Sequence, residues 1–180
     1  INMPVFQTMG NHDYDYSFFK SGGTVSGDIL SNANQIKMQQ KFEDAFGPIN
    51  FSFNRGEVHI VCMRNVLFES RSNAGSSHGG FTDEQFEWFK ADLANVPKSK
   101  KIILCVHVPM CDSTTKENVS SVLNLIKQYS NSEIFSGHTH YKRGCANVNN
   151  SGIYEHVHSA VCGTFWSSNL ECDGVPHGYT

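Results

Sequence analysis

Lys101-Ile102-Ile103-Leu104-Cys105-Val106-His107-Val108-Pro109 reads as a buried strand that ends on an imidazole. A run this apolar, closed by proline, belongs inside a sheet covered by other layers. Its terminal histidine stands where open α/β sheets put their chemistry, in the crevice beyond the carboxyl ends of the strands. Two other stretches end in the same way. Gly137-His138-Thr139-His140 follows the short strand candidate Ile134-Phe135. Gly10-Asn11-His12-Asp13 follows Met3-Pro4-Val5-Phe6-Gln7-Thr8-Met9, which also reads as a buried strand. A doubly wound sheet brings such ends together, so imidazoles, a carboxamide and a carboxylate are expected at one rim. Taken alone each stretch is weak, since Asn beside Gly and Asp is ordinary turn chemistry.

In this order, Gly-Asn-His-Asp, a strand-terminal Val-His and Gly-His-Thr-His resemble the later motifs of the calcineurin-like metallophosphoesterases. The resemblance spans Gly10 to His140, most of the chain. It implies an α/β fold, a metallophosphoesterase-like layered β-sandwich flanked by helices. It also implies an enzyme, a metal-dependent phosphoester hydrolase (phosphatase or phosphodiesterase) that uses a metal-bound hydroxide. The intact protein would bind two divalent or trivalent metal ions, Zn, Mn or Fe. Matched position by position, Asn11, His107 and His138 would bind the second metal and His140 the first. His12 would contact the phosphate and protonate the leaving group, with Asp13 orienting it.

The family's two upstream motifs, Asp-Xaa-His and Gly-Asp-Xaa-Xaa-Asp, find no match here. Nine residues precede Gly10, and none is Asp, Glu, His or Cys. The chain is therefore expected to be truncated at the N-terminus. Such a fragment would be weak or inactive and would hold at most one metal, weakly, because four ligands usually hold zinc and three remain. The alternative is a non-catalytic remnant or binding module that keeps the fold with at most one metal.

At 180 residues the chain reads as a single, partial domain. Segment 163–180 resembles the lead-in to a further C-terminal domain found in bacterial members of the family. Fourteen Lys plus Arg against 17 Asp plus Glu give a net charge of −3, so no basic field indicates a nucleic-acid partner. The expected partner is a phosphoester substrate, with no membrane span and no obligate protein partner in evidence. The compartment stays open between periplasmic or secreted and cytoplasmic. None of the six cysteines shows Cys-Xaa-Xaa-Cys spacing, and mainly free thiols are expected.

Along the chain, Tyr14 and Tyr16 sit in a loop over the site, where they could line the substrate pocket or lie half-buried at its edge. Trp166 is a further substrate-binding candidate. A helix is expected over 35–46, stopped by Gly47-Pro48, and a hairpin from Phe51-Ser52-Phe53 to 58–63. His59 within it reads as a surface or packed residue. Residues 70–80 read as a loop, with His78 unassigned. Thr82-Asp83-Glu84-Gln85 is a capping box opening a helix that packs Phe86, Phe89 and Leu93. A second helix is expected over 117–129. Strand candidates follow at 141–148 and 153–158, the latter carrying His156 and His158 toward the surface. Gly137 is expected to let the backbone approach closely beside His138.

Overall fold

The computed structural model describes residues 4–14, 32–68, 77–112 and 117–159. Tyr16, Trp166, Cys162, Cys172 and segment 163–180 lie outside the described residues. In chain order the elements are a 3-10 turn at Asn11–Asp13, α1 (Asn32–Phe46), β1 (Asn50–Arg55), β2 (Val58–Met63), β3 (Val66–Phe68) and β4 (Ser77–Gly79). Then come α2 (Asp83–Leu93), β5 (Lys101–Cys105), α3 (Val119–Ile126), β6 (Glu133–Ser136), β7 (Arg143–Cys145), a 3-10 turn at Val148–Asn150, and β8 (Tyr154–Val157).

Six strands form one mixed sheet in the order β1-β2-β5-β6-β8-β7. The inner run β2-β5-β6-β8 is parallel, and β1 and β7 close the two edges antiparallel. Parallel strands need crossovers, and α2 and α3 supply them. The architecture is thus the mixed α/β fold expected from the sequence. A second, two-stranded sheet pairs β3 with β4.

The main core forms where the sheet meets these two helices. Val61, Met63, Ile102, Leu104 and Ile134 from the strands pack with Phe89, Leu93, Val119, Val122, Leu123 and Ile126. Burial along β5 alternates, Ile102 and Leu104 fully buried and Ile103 and Cys105 half-buried. The capping box at α2 is present in both directions. Thr82 Oγ1 accepts from Gln85 N–H at 3.2 Å, and the Gln85 side chain accepts from Thr82 N–H at 3.1 Å. A smaller core of Met9, Tyr14, Met38, Phe42, Val66 and Val108 joins α1 to the 3-10 turn at Asn11–Asp13.

Several expectations are corrected. The described part of the stretch read as a buried strand, residues 4–9, lies in no strand, with Val5 57% and Phe6 56% exposed. Both edges of β2 are occupied by β1 and β5, so a ladder position is not open there. Phe6 instead stacks on Phe53 at 4.5 Å and lies 6.0 Å from Phe51, ring centre to ring centre. Ser77–Gly79, expected as loop, is a strand in which His78 pairs with Leu67 and stands 2.9 Å from Glu117. The strand expected over 141–148 is confined to Arg143–Cys145.

Cys111 and Cys145 form a disulfide across 34 residues, which overturns the expectation of mainly free thiols for that pair. Strand β7 folds back beside the loop after β5 and brings the two sulfurs together. Cys62 and Cys105 are free, as expected.

Candidate metal centre at the strand ends

The parallel strands β2, β5, β6 and β8 all end at the same edge of the sheet. Just beyond them lie Asn65, His107 and His138, so local sequence alone places polar side chains along one rim. The 3-10 turn adds Asn11 from the far end of the chain.

The geometry at the rim is tight. Asn11 Oδ1 lies 2.7 Å from His107 Nε2 and 3.3 Å from His138 Nδ1, and the two imidazole nitrogens are 3.1 Å apart. The two rings meet edge to face at 4.9 Å. Two donors each about 2.1 Å from one ion, at angles between square and tetrahedral, stand about 3.0 to 3.4 Å apart. The two spacings to His138 fall in that range while the Asn11–His107 spacing is shorter, and an amide oxygen with two imidazole nitrogens suits a borderline divalent cation. The residues present therefore fit a metal, with Asn11, His107 and His138 as the atoms that would hold it.

The loop that carries His107 is positioned by identifiable contacts. Asn65, fully buried, accepts from the backbone N–H groups of both His107 and Val108 at 2.9 Å and donates to Val108 O at 2.7 Å. Glu155, also fully buried, accepts from Met110 N–H and Cys111 N–H, both at 2.9 Å. The loop from His107 to Cys111 is thus pinned at both ends. Gly137 N–H donates to His107 O at 3.0 Å and locks this loop to the next one. Sequence reasoning passed over Asn65 and Glu155. The available signals were an Asn just past a strand end and an acid inside a strand candidate.

Gly10 matters for space. A Cβ there would come within 2.8 Å of His107 Nδ1 and 2.9 Å of Cε1, so only glycine lets the imidazole lie against this backbone. Gly137 has no such role, contrary to expectation, because a Cβ there would meet only His158 O at an ordinary 3.9 Å. The unusual backbone belongs to the histidines themselves, with φ of +63° at His138 and +61° at His140. Thr139 N–H donates back to Gly137 O at 2.6 Å, closing a three-residue turn around His138. Left-handed backbone at a non-glycine residue costs of order 1–3 kcal/mol and persists where the surroundings demand it.

Burial and neighbouring charge bias both rings toward the neutral imidazole. Burial, then the charges of His138, His12 and His140, lower the His107 pKa to about 4. Burial and the His140 charge lower that of His138 as well. His12 and His140 therefore lie close enough to be felt at both rings, although His12 is itself exposed. Burial raises the pKa of Glu155.

Asp13 acts on the backbone. Its Oδ2 accepts from Gly10 N–H at 2.7 Å, while Asp13 N–H donates to Gly10 O at 3.3 Å. These two contacts close the turn that carries His12. Tyr14 is displaced from the expected substrate wall into the smaller core, 2% exposed, against Phe68 at 4.8 Å. Its hydroxyl accepts from Arg64 and Gln39, each at 3.2 Å, a satisfied buried phenol rather than a pocket residue. Among the described residues, Cys111, Cys145 and Glu155 also bring three ligand atoms together, but the two sulfurs are spent in the disulfide.

The family model described as calcineurin-like phosphoesterase matches residues 1–142. A curated relative, acid phosphatase A of Cryphonectria parasitica, is 26% identical over 157 residues, covering 78% of this chain and 31% of that protein. The chain thus spans about a third of that relative's length.

Proposed function

The chain belongs to the calcineurin-like phosphoesterases, and from that premise we propose that it serves phosphoester hydrolysis with a metal ion held by Asn11, His107 and His138. One observation carries the reading. Three donor atoms from residues 96 and 127 positions away from Asn11 and from Asn11 itself meet within 3.3 Å. The acid phosphatase among its relatives supports a monoesterase over a diesterase.

A metal ion bound there supplies a Lewis acid for the phosphoryl oxygen and lowers the pKa of a water molecule. The protein's own residues do the rest. His107 is a neutral imidazole at neutral pH because burial disfavours its cation, and a neutral ring has one nitrogen lone pair to give an ion. Asn11 adds an oxygen without adding charge. His12, exposed beside the cluster, donates the proton that the departing alkoxide needs, a task suited to an imidazole near pH 7. Asp13 holds the turn beneath it. His140 serves a first metal site in the whole protein.

Zinc, manganese and iron all suit such donors. Three donors, one a carboxamide, hold an ion weakly, so turnover by this chain is slow. The test is hydrolysis of an alkyl and an aryl phosphate by the metal-loaded protein and its His12→Asn variant. Alkyl turnover is expected to fall about 10²- to 10⁴-fold and aryl turnover much less. Near-normal alkyl turnover removes His12 from the role. Metal uptake with no turnover of either ester by the unaltered protein favours the non-catalytic remnant.

A further inference from the structure

Beside the His138 loop lies a recess of about 320 Å³ lined by Lys142, Arg143, Tyr154, His156 and His158 over the Gly144 backbone. None of these residues belongs to the converging donors, yet the recess adjoins them through the backbone. Lys142 is the second residue after His140. His158 N–H donates to Ser136 O at 2.8 Å, immediately before Gly137. The recess therefore opens from the rim at the carboxyl end of β8 and runs down the sheet toward Tyr154.

Its walls are packed. Phe135 stacks on His156 at 4.7 Å and on His158 at 5.6 Å, both nearly parallel. Tyr154 meets His156 edge to face at 4.6 Å. A Cβ on Gly144 would fall 1.7 Å from Tyr154 Oη, so the phenol occupies space that only glycine leaves. Positive charge is in surplus. Asp112 pairs with Arg143, and Glu133 is shared between Lys101 at 2.7 Å and His156 at 3.4 Å. Lys142, exposed at the mouth, has no acid opposite it in these pairs, and its charge is felt at His158 after those of burial and His156.

We infer that this recess is an anion subsite, which takes a second phosphoryl or carboxylate group of an organic phosphate whose ester sits at the rim. The inference rests on the hydrolase reading above. It makes the preferred substrate a molecule with two anionic groups rather than a simple monoester, because a cation at the mouth of a ring-walled recess rewards a charge-assisted contact.

The test is an NMR titration of the whole chain with inorganic phosphate and with inorganic pyrophosphate, in the unaltered protein and in Lys142→Glu and His107→Ala. Pyrophosphate is expected to bind at least about tenfold more tightly than phosphate, the worth of one charge-assisted contact. Lys142→Glu is expected to erase that preference and leave phosphate affinity unchanged. Equal binding of the two anions, or a preference that survives Lys142→Glu, overturns the subsite. His107→Ala separates the two readings. If neither anion responds to it, the rim is not the phosphate site and the hydrolase reading fails, while Lys142→Glu still decides the recess.

Discussion

His59 lies within β2 and His107 just past the end of the neighbouring β5, and the two have opposite chemistry. His59, 3% exposed, places Nε2 2.9 Å from Asp92 Oδ2 and Nδ1 3.2 Å from Asn54 Oδ1. Ser52 Oγ donates to the other Asp92 oxygen at 2.7 Å. Both ring nitrogens and both carboxylate oxygens are engaged, and the cluster ties β1 and β2 to α2. At the rim, by contrast, an amide oxygen and two imidazole nitrogens face one another with no carboxylate in the set. A closed cluster has nothing left to offer a ligand, whereas an open one does. Satisfaction of polar atoms, more than residue type, separates scaffold from site.

The sharpest way to break this contrast is to remove each histidine in turn. His107→Ala is expected to lower zinc or cobalt affinity by more than about 100-fold, beyond what even outer-shell partners command. His59→Ala is expected to leave metal affinity unchanged and to lower stability by about 2–4 kcal/mol, since it strands a carboxylate that is largely buried. Metal titration and urea unfolding of both variants check the pair. A metal defect in His59→Ala would merge the two clusters into one.

Acid separates them next. The His107 pKa is depressed to about 4 in the folded chain, against about 6.5 when unfolded. Between those values the unfolded state holds more protons, so stability is present above pH 6.5 and is lost as pH falls toward 4. The full loss is about 3 kcal/mol for the metal-free chain. Urea midpoints at pH 7, 5 and 4 measure it. His107→Ala should flatten that slope.

Gly10→Ala sharpens the contrast from the packing side. The new Cβ would lie within 3 Å of the ring of a residue whose backbone Asn65 holds in place, so the imidazole has to turn away from Asn11 and His138. A drop of about 10- to 100-fold in metal affinity is expected, the range of outer-shell changes, with the His59 cluster unaffected.

What the sequence disclosed follows the same division between local and distant causes. The apolar run of β5, the hairpin of β1 and β2 and the Thr82–Gln85 capping box are local, and each formed as expected. The strand-end position of His107 and His138 was legible because parallel strands share a polarity. Residues 4–9 misled because a ladder needs an open strand edge, which no local pattern encodes. Tyr14 misled because its burial depends on Phe42 and Val66, far along the chain. Asn65 and Glu155 left only a faint local signal, because their work is to hold the backbone of a loop more than 40 residues away. The Cys111–Cys145 bond needed the fold of β7 against the β5 loop before its spacing meant anything.

Ser52→Ala is the smallest change that still probes the comparison. It removes one hydroxyl from Asp92 Oδ1 and leaves the His59 contact on Oδ2 in place. Asp92 is 20% exposed, so water can replace the lost donor in part, which puts the cost near about 1 kcal/mol. For a domain of this size that is a fall in Tm of about 2–4 °C. Metal affinity should not move at all, because β1 lies two strands from β5 and the closed cluster shares no polar contact with the rim. If the thermal shift came with weaker metal binding, the scaffold cluster would be steering the rim through β2, and the division between closed and open histidines would fall.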